Sequence, residues 1–220
     1  MRILKFRESL DWKYILGEIL LIFIGISLAI WFNNWNSSVN SAKEKRIAVS
    51  KMQEEIQNNL KELLFARKIN QQVKDAYSAY EPLYNGNSNE ILTTPANLVI
   101  LQKKYPNFFT VTDSVKVEQG LYRYQGSTFI NLELAELSKI AWETTKSFNT
   151  ANVFNYECLY ILEGMYNLQG RVVNEIEKAA RALQKAEMKE LMRVLEFLSQ
   201  YDIQLEEDYN NMLKSIDNCR

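Results

Sequence analysis

The sequence predicts a mainly α-helical protein, in which an N-terminal transmembrane helix continues into an antiparallel bundle of long helices. First, residues 14–32 form a 19-residue apolar stretch with a single charge. Second, no glycine or proline occurs within 27–81 or 171–220, so both stretches suit long helices. Third, apolar residues in both stretches recur at helical spacing. We therefore expect a cytoplasmic segment 1–13, a transmembrane helix 14–32 and one extracytoplasmic helical domain 33–220.

The apolar stretch has the length and the flanks of a membrane anchor. Nineteen residues at about 1.5 Å each cover about 28 Å, close to the hydrocarbon thickness of a bilayer. The aromatic side chains that suit the two headgroup layers are Trp12, Tyr14, Trp31 and Trp35. A cleaved signal peptide ending near Ser27 and Ala29 is the alternative, but the apolar core is long for a signal peptide.

The distribution of basic residues favours one orientation of this anchor. Those before the anchor are Arg2, Lys5, Arg7 and Lys13, whereas the first ones after it are Lys43, Lys45 and Arg46. Because basic residues concentrate on the cytoplasmic side, we expect the N-terminus in the cytoplasm. The bulk of the chain would then lie in the periplasm, outside a bacterial inner membrane.

One carboxylate, Glu18, lies inside the anchor, where a charge is costly. It is only one turn from Tyr14, so we expect it to reach the interface or to hydrogen bond with Tyr14. The alternative is a helix-contact face, because Glu18, Gly25 and Ala29 share one helical stripe and small residues let helices approach closely. That face predicts self-association of the chain.

A long helix is expected to leave the membrane without a break and to end near residues 80–82. Positions with alternating spacing of three and four form its seam: Val49, Met52, Ile56, Asn59, Leu63, Ala66, Asn70, Val73, Tyr77 and Tyr80. The two asparagines weaken this seam as an apolar surface but help to specify its register or partner. We expect an intramolecular bundle face rather than an intermolecular coiled coil.

The middle of the chain is predicted to hold shorter elements. Residues 85–89 are a loop by composition, and Thr94 followed by Pro95 marks the start of a helix that reaches about Lys104. Residues 108–124 predict either a small β-hairpin around Gln119 and Gly120 or an ordered loop. Three further helices are predicted over 132–148, 152–185 and 188–216, the second with bends at Gly164 and Gly170.

Composition argues against several classes of function. The chain has no histidine, which removes the commonest general base and metal ligand. No phosphate-binding loop, nucleophile motif or calcium loop is present, so we expect no catalytic residues, metal or cofactor. Carboxylate pairs such as Glu54 and Glu55 are expected to be solvated. Of the two cysteines, Cys158 is expected to pack in the core rather than to form a disulfide with Cys219.

Charge argues against nucleic acid as a partner. The chain after residue 32 carries 22 basic and 24 acidic residues, a net charge of −2.

Aromatic residues offer a different kind of surface. A docking site or a set of core residues beneath a loop is predicted for Tyr80, Tyr84, Phe108, Tyr122, Tyr124 and Trp142.

Two stretches of the sequence resemble a known group. Residues 16–30, running into Asn33-Asn34-Trp35-Asn36, resemble the N-terminal segment of an uncharacterised family of single-pass membrane proteins of the Bacteroidota. Residues 141–146, 155–157 and 166–169 are similar to a second stretch of such helical proteins, and residues 30–32 depart from the first pattern. The resemblance implies lineage and topology and carries over no activity or site residue.

These observations favour a membrane-anchored, non-enzymatic helical scaffold or accessory subunit that mediates protein-protein interaction. Its expected partners are the lipid bilayer and either itself or another membrane protein. The alternative is a ligand-sensing module, in which a ligand at the aromatic residues shifts the long helix. Because only thirteen residues precede the membrane, such a sensor would need a separate signalling partner.

Overall fold

A computed structural model describes residues 12–84, 86, 89–148 and 150–219. In these residues the protein is mainly α-helical, as predicted, with one small sheet. The α-helices are α1 (Trp12–Tyr80), α2 (Pro95–Lys104), α3 (Ile140–Ser147), α4 (Tyr156–Gln184) and α5 (Met188–Ser215). The strands are β1 (Glu90–Thr93), β2 (Phe109–Lys116) and β3 (Tyr122–Thr128). Short 3-10 turns lie at Glu81–Leu83, Glu118–Gly120, Thr150–Val153 and Ile216–Cys219.

Helix α1 is one unbroken helix of 69 residues, which confirms the predicted continuation of the apolar stretch into a long helix. At about 1.5 Å per residue it is about 104 Å long. Its N-terminal part is exposed on almost every side, and its first buried residue is Val49. From there the predicted seam is buried as far as Tyr80, except for the half-buried Tyr77. The described part of the chain has one helix long and apolar enough to cross a membrane, and it is this one.

Helices α1, α4 and α5 form the bundle, with α5 between its two neighbours and antiparallel to both. An ion pair joins Arg67 to Glu206 at 2.6 Å, and a second joins Lys74 to Glu196. Helix α4 is continuous through Gly164 and Gly170. The seam of α1 therefore packs within its own chain, as predicted.

The prediction of a helix over 132–148 is wrong for its first half. Only Ile140–Ser147 is helical, and residues 129–139, called the strap below, have no regular secondary structure. Apolar spacing in this segment resembles a helical face, yet its backbone hydrogen bonds to side chains of α1 instead. The strap runs from β3 back along α1 to the start of α3.

The C-terminal end of α1 carries a small cap made of the sheet and α2. The predicted hairpin is present, and the short strand β1, which was not predicted, joins it in the order β1-β3-β2 with antiparallel pairing. The start of α2 is as predicted: Pro95 is its first residue, and Thr94 Oγ1 accepts a hydrogen bond from the Asn97 N–H at 3.3 Å.

The expectation that Cys158 is a free core residue is wrong, because it forms a disulfide with Cys219. Both residues are also buried. Cys158 lies in the first turn of α4, whereas Cys219 follows the end of α5. Since α4 and α5 are an antiparallel pair of nearly equal length, their outer ends meet and bring the two Cα atoms to 5.7 Å.

Candidate functional site

Two asparagines of α1 hold the strap by its backbone. Asn70 Nδ2 donates to the Glu133 carbonyl and Asn70 Oδ1 accepts from the Glu133 N–H, both at 2.9 Å. Asn59 does the same for Ser138, donating to its carbonyl at 2.6 Å and accepting from its N–H at 2.9 Å. Each amide thus satisfies both backbone groups of one residue, as a neighbouring β-strand would.

The spacing of the two asparagines matches an extended strap. Eleven helical residues separate Asn59 from Asn70, a rise of about 16 Å. Five residues separate Glu133 from Ser138, and an extended chain covers about 16 Å in five residues. The two amides therefore fix the strap in one register, antiparallel to α1. The sequence indicated their role in register without indicating what they bind.

Glu55 is the third residue of α1 that holds this region. Its Oε2 accepts hydrogen bonds from Ser138 Oγ and from the Ala141 N–H, and its Oε1 accepts one from Tyr166 Oη, each at 2.8 Å. The carboxylate lies against the first turn of α3, where the free N–H groups favour a negative charge. The expectation of a solvated carboxylate pair is wrong here, because Glu54 is exposed whereas Glu55 is buried.

Residues of α4 and α5 complete this polar cluster. Gln169 donates to the Ser138 carbonyl at 2.9 Å, and its Oε1 accepts from Tyr209 Oη at 2.9 Å. Burial raises the pKa of both the Tyr166 and the Tyr209 phenol, and the nearby Glu55 raises them further. Both phenols therefore remain neutral donors. We call Glu55, Asn59, Ser138, Gln169 and Tyr209 the polar clamp, in which all three bundle helices meet the strap.

A groove of about 670 Å³ lies beside the polar clamp, between α1 and α3. Its floor includes Glu55, Asn59 and Ser138. Three large apolar side chains that line it are exposed: Ile47 by 54%, Ile140 by 74% and Phe148 by 76%. Glu44, Lys51 and Glu54 also line the groove, and Lys51 pairs with Glu54 at 2.9 Å. The acceptors on the floor already hold hydrogen bonds, so the groove offers mainly apolar contact with charged residues along one wall.

The structure divides the predicted aromatic group. Tyr80 packs on Phe108 at 5.6 Å and on Tyr84 at 6.0 Å between ring centroids, and Tyr122 stacks on Tyr124 at 5.9 Å. Tyr80, Phe108 and Tyr124 are buried in the cap, Tyr122 is half-buried and Tyr84 is exposed.

Trp142 does not join that group, which corrects its place in the predicted docking site. It lies on α3 in the main core, stacked on Tyr166 at 5.7 Å, and its Nε1–H donates to Glu163 at 3.1 Å. The strap separates Trp142 from the cap because it carries the chain back along α1 before α3 begins.

The predicted residues of the membrane segment all lie on the exposed part of α1. Trp12, Tyr14, Trp31 and Trp35 are exposed, and the rings of Trp31 and Trp35 stack at 6.1 Å. The predicted contact face of Glu18, Gly25 and Ala29 is exposed as well. Because α1 is continuous, its phase can be followed from this face into the bundle.

That phase places the Gly25 face on the outer side of α1. From Gly25 to the buried Met52 there are 27 residues, or about 7.5 turns of an α-helix. The half turn puts the Glu18, Gly25 and Ala29 face opposite the bundle. Ile47, which lies 22 residues or about six whole turns beyond Gly25, falls on the same outer side and lines the groove.

Within the described residues, no group of three or more His, Cys, Asp or Glu could hold a metal ion. Comparison of the chain with protein-family models, curated proteins and solved structures finds no match.

Proposed function

We propose that this chain is a single-pass protein of a bacterial inner membrane whose periplasmic bundle binds a protein partner. The binding surface is the groove between α1 and α3, and the chain acts as a non-enzymatic scaffold that holds its partner near the membrane. The observation that carries the proposal is a set of exposed apolar side chains in the groove between α1 and α3. Helix α1, which forms one wall of this groove, also contains the proposed membrane segment.

Two observations support the proposed topology. None of the most apolar stretch of α1 is buried inside the protein, unlike a core helix of a soluble domain. The disulfide between Cys158 and Cys219 suits an oxidising compartment such as the periplasm. Both agree with the bias of basic residues towards the N-terminus.

The groove supports a protein partner over a small polar ligand. Its walls present Ile47, Ile140 and Phe148 to solvent, and exposed apolar surface of this kind marks interaction sites. The polar clamp holds the strap and the start of α3 in place before a partner arrives. A preformed surface loses little conformational freedom on binding.

Photo-crosslinking in intact cells tests this surface. A photoreactive residue at Phe148 should give a discrete crosslinked product, whereas the same residue at Phe197, an exposed phenylalanine of α5, should not. Phe148→Ser should then prevent co-purification of the crosslinked protein, and Phe197→Ser should leave it unchanged. Equal crosslinking at both positions, or co-purification that withstands Phe148→Ser, would contradict the proposed surface.

A sensor remains the second candidate, favoured by the continuity of α1 from the aromatic cap to the membrane segment. A ligand bound at Tyr84 and Tyr122, the two members of the cap group that are not buried, could shift that helix as a unit. A ligand-dependent rise in melting temperature of the purified chain, with no crosslink at Phe148, would favour this function over the scaffold.

A further inference from the structure

The interface between α1 and α5 contains a buried acid that the proposed function does not use. Asp202 of α5 is 4% exposed, and its Oδ1 atom has no hydrogen-bond partner among the described residues. Across the interface, Nη1 of Arg67 is buried and is also without a partner there. The other terminal nitrogen of Arg67, Nη2, donates to Glu206 Oε2 at 2.6 Å. The guanidinium is thus committed to Glu206 while a second carboxyl group lies nearby.

A cavity of about 10 Å³ lies between these groups, lined by residues of α1 and α5 alone. Its size leaves room for nothing larger than one water molecule. A metal ion with its ligand shell or a small organic molecule does not fit. The smallest species that changes the charge of this site is a proton on Asp202, and it needs no additional space.

Burial, rather than the surrounding charges, favours the neutral form of Asp202. Burial raises the pKa of Asp202 to about 7, and the positive charge of Arg67 opposes this shift. Lys74 also lines the cavity, but it pairs with Glu196. On α5, Glu206 lies one turn beyond Asp202 and pairs with Arg67. Tyr209 of the same helix is a further titratable group near Asp202: burial raises the pKa of its phenol, and the charge of Asp202 raises it further.

We propose that Asp202 is a proton-controlled latch between α5 and α1. While Asp202 is protonated, Arg67 pairs with Glu206 alone. When Asp202 releases its proton to solvent, its carboxylate takes a hydrogen bond from Arg67 Nη1, and the guanidinium then joins two carboxylates of α5. Because Arg67 lies on the same helix as the membrane segment, this exchange alters how α5 is held against that helix. The latch is independent of the partner and of the orientation in the membrane.

Infrared titration of the full chain in lipid nanodiscs measures the protonation directly. Labelling with 13C-aspartate separates protonated aspartic acid from glutamic acid, so the titration needs no destabilising variant. We expect one aspartic acid band that disappears with a midpoint near pH 7, and we expect Asp202→Asn to lack it. Titration of every aspartate near the ordinary pKa of about 4 would overturn the proposal.

Variants of Arg67 and Glu206 test the exchange itself. Glu206→Gln frees Arg67 and should lower the midpoint by about one pH unit, and Arg67→Gln should raise it. Glu207→Gln is the matched control, since it removes the same charge from the exposed neighbouring position. Equal shifts in Glu206→Gln and Glu207→Gln would show only a general field effect and would overturn the latch.

Discussion

Replacing Asn59 with leucine should destabilise the protein far more than the same change at its neighbour Asn58. Asn59 is 2% exposed and makes three side-chain hydrogen bonds, two to Ser138 and one to Gln169. Asn58 is exposed at the rim of the groove. Both substitutions exchange an amide for an apolar side chain of similar size on the same helix.

The expected cost follows from what the leucine leaves behind. The Ser138 N–H loses its acceptor, whereas the Ser138 carbonyl keeps the hydrogen bond from Gln169. Three lost hydrogen bonds at about 1 kcal/mol each give a loss of about 3 kcal/mol in the free energy of unfolding. For a chain of this size that loss corresponds to a fall of about 6–12 °C in melting temperature.

Thermal unfolding of the full chain in detergent, followed by circular dichroism, measures this fall. Hydrogen exchange should also show faster exchange of the Ser138 amide in Asn59→Leu, with the Glu133 amide still protected by Asn70. If Asn59→Leu and Asn58→Leu melted at the same temperature, the polar clamp would not hold the strap and the reasoning would be refuted.

Three further changes test other parts of the fold. Reducing the Cys158–Cys219 disulfide, whose cysteines are 61 residues apart, should lower the free energy of unfolding by about 4 kcal/mol in thiol-dependent melts. Gly126→Ala should destabilise the protein by about 1–3 kcal/mol, because a Cβ there would lie 2.3 Å from the Thr110 carbonyl oxygen. The control Gly170→Ala adds a Cβ to an open site on a helix, so it should stabilise the protein by up to about 1 kcal/mol. Burial raises the pKa of Asp202 from 3.8 to about 7 on folding, so the unfolded chain loses this proton at a lower pH than the folded one. The free energy of unfolding should therefore fall by up to about 4 kcal/mol as the pH rises between these values, and Asp202→Asn should remove this dependence.

The parts of the fold that could be predicted are those that local sequence controls. The continuity of α1 beyond the apolar stretch follows from the absence of glycine and proline within 27–80, and its buried face follows from the spacing of Val49, Met52 and Ile56. The capped start of α2 follows from Thr94 and Pro95. Each of these signals lies within a few residues of the structure it determines.

The strap could not be predicted because its determinants are distant in sequence. Leu134 and Leu137 have the spacing of a helical face, but the groups that bind their backbone neighbours lie on α1, 63 to 79 residues earlier. The disulfide is similar, since its geometry depends on the nearly equal lengths of α4 and α5. Glu55 was missed although helical phase separates it from Glu54: Glu55 is three residues after Met52 and four before Asn59, beside the buried seam, whereas Glu54 points away from it.

The continuity of α1 also bears on how a partner could approach the proposed surface. The predicted membrane contact face around Gly25 and the groove residue Ile47 lie on the same outer side of α1, opposite the bundle. A partner helix that packed against Gly25 in the membrane could therefore continue towards the groove without meeting α4 or α5. Residues 33–44 of α1 lie between Gly25 and Ile47 and are exposed along nearly their whole length. They therefore leave that path open. If one membrane-spanning partner contacts both surfaces, Gly25→Leu should weaken its co-purification as Phe148→Ser does, whereas two separate partners would respond to one variant each.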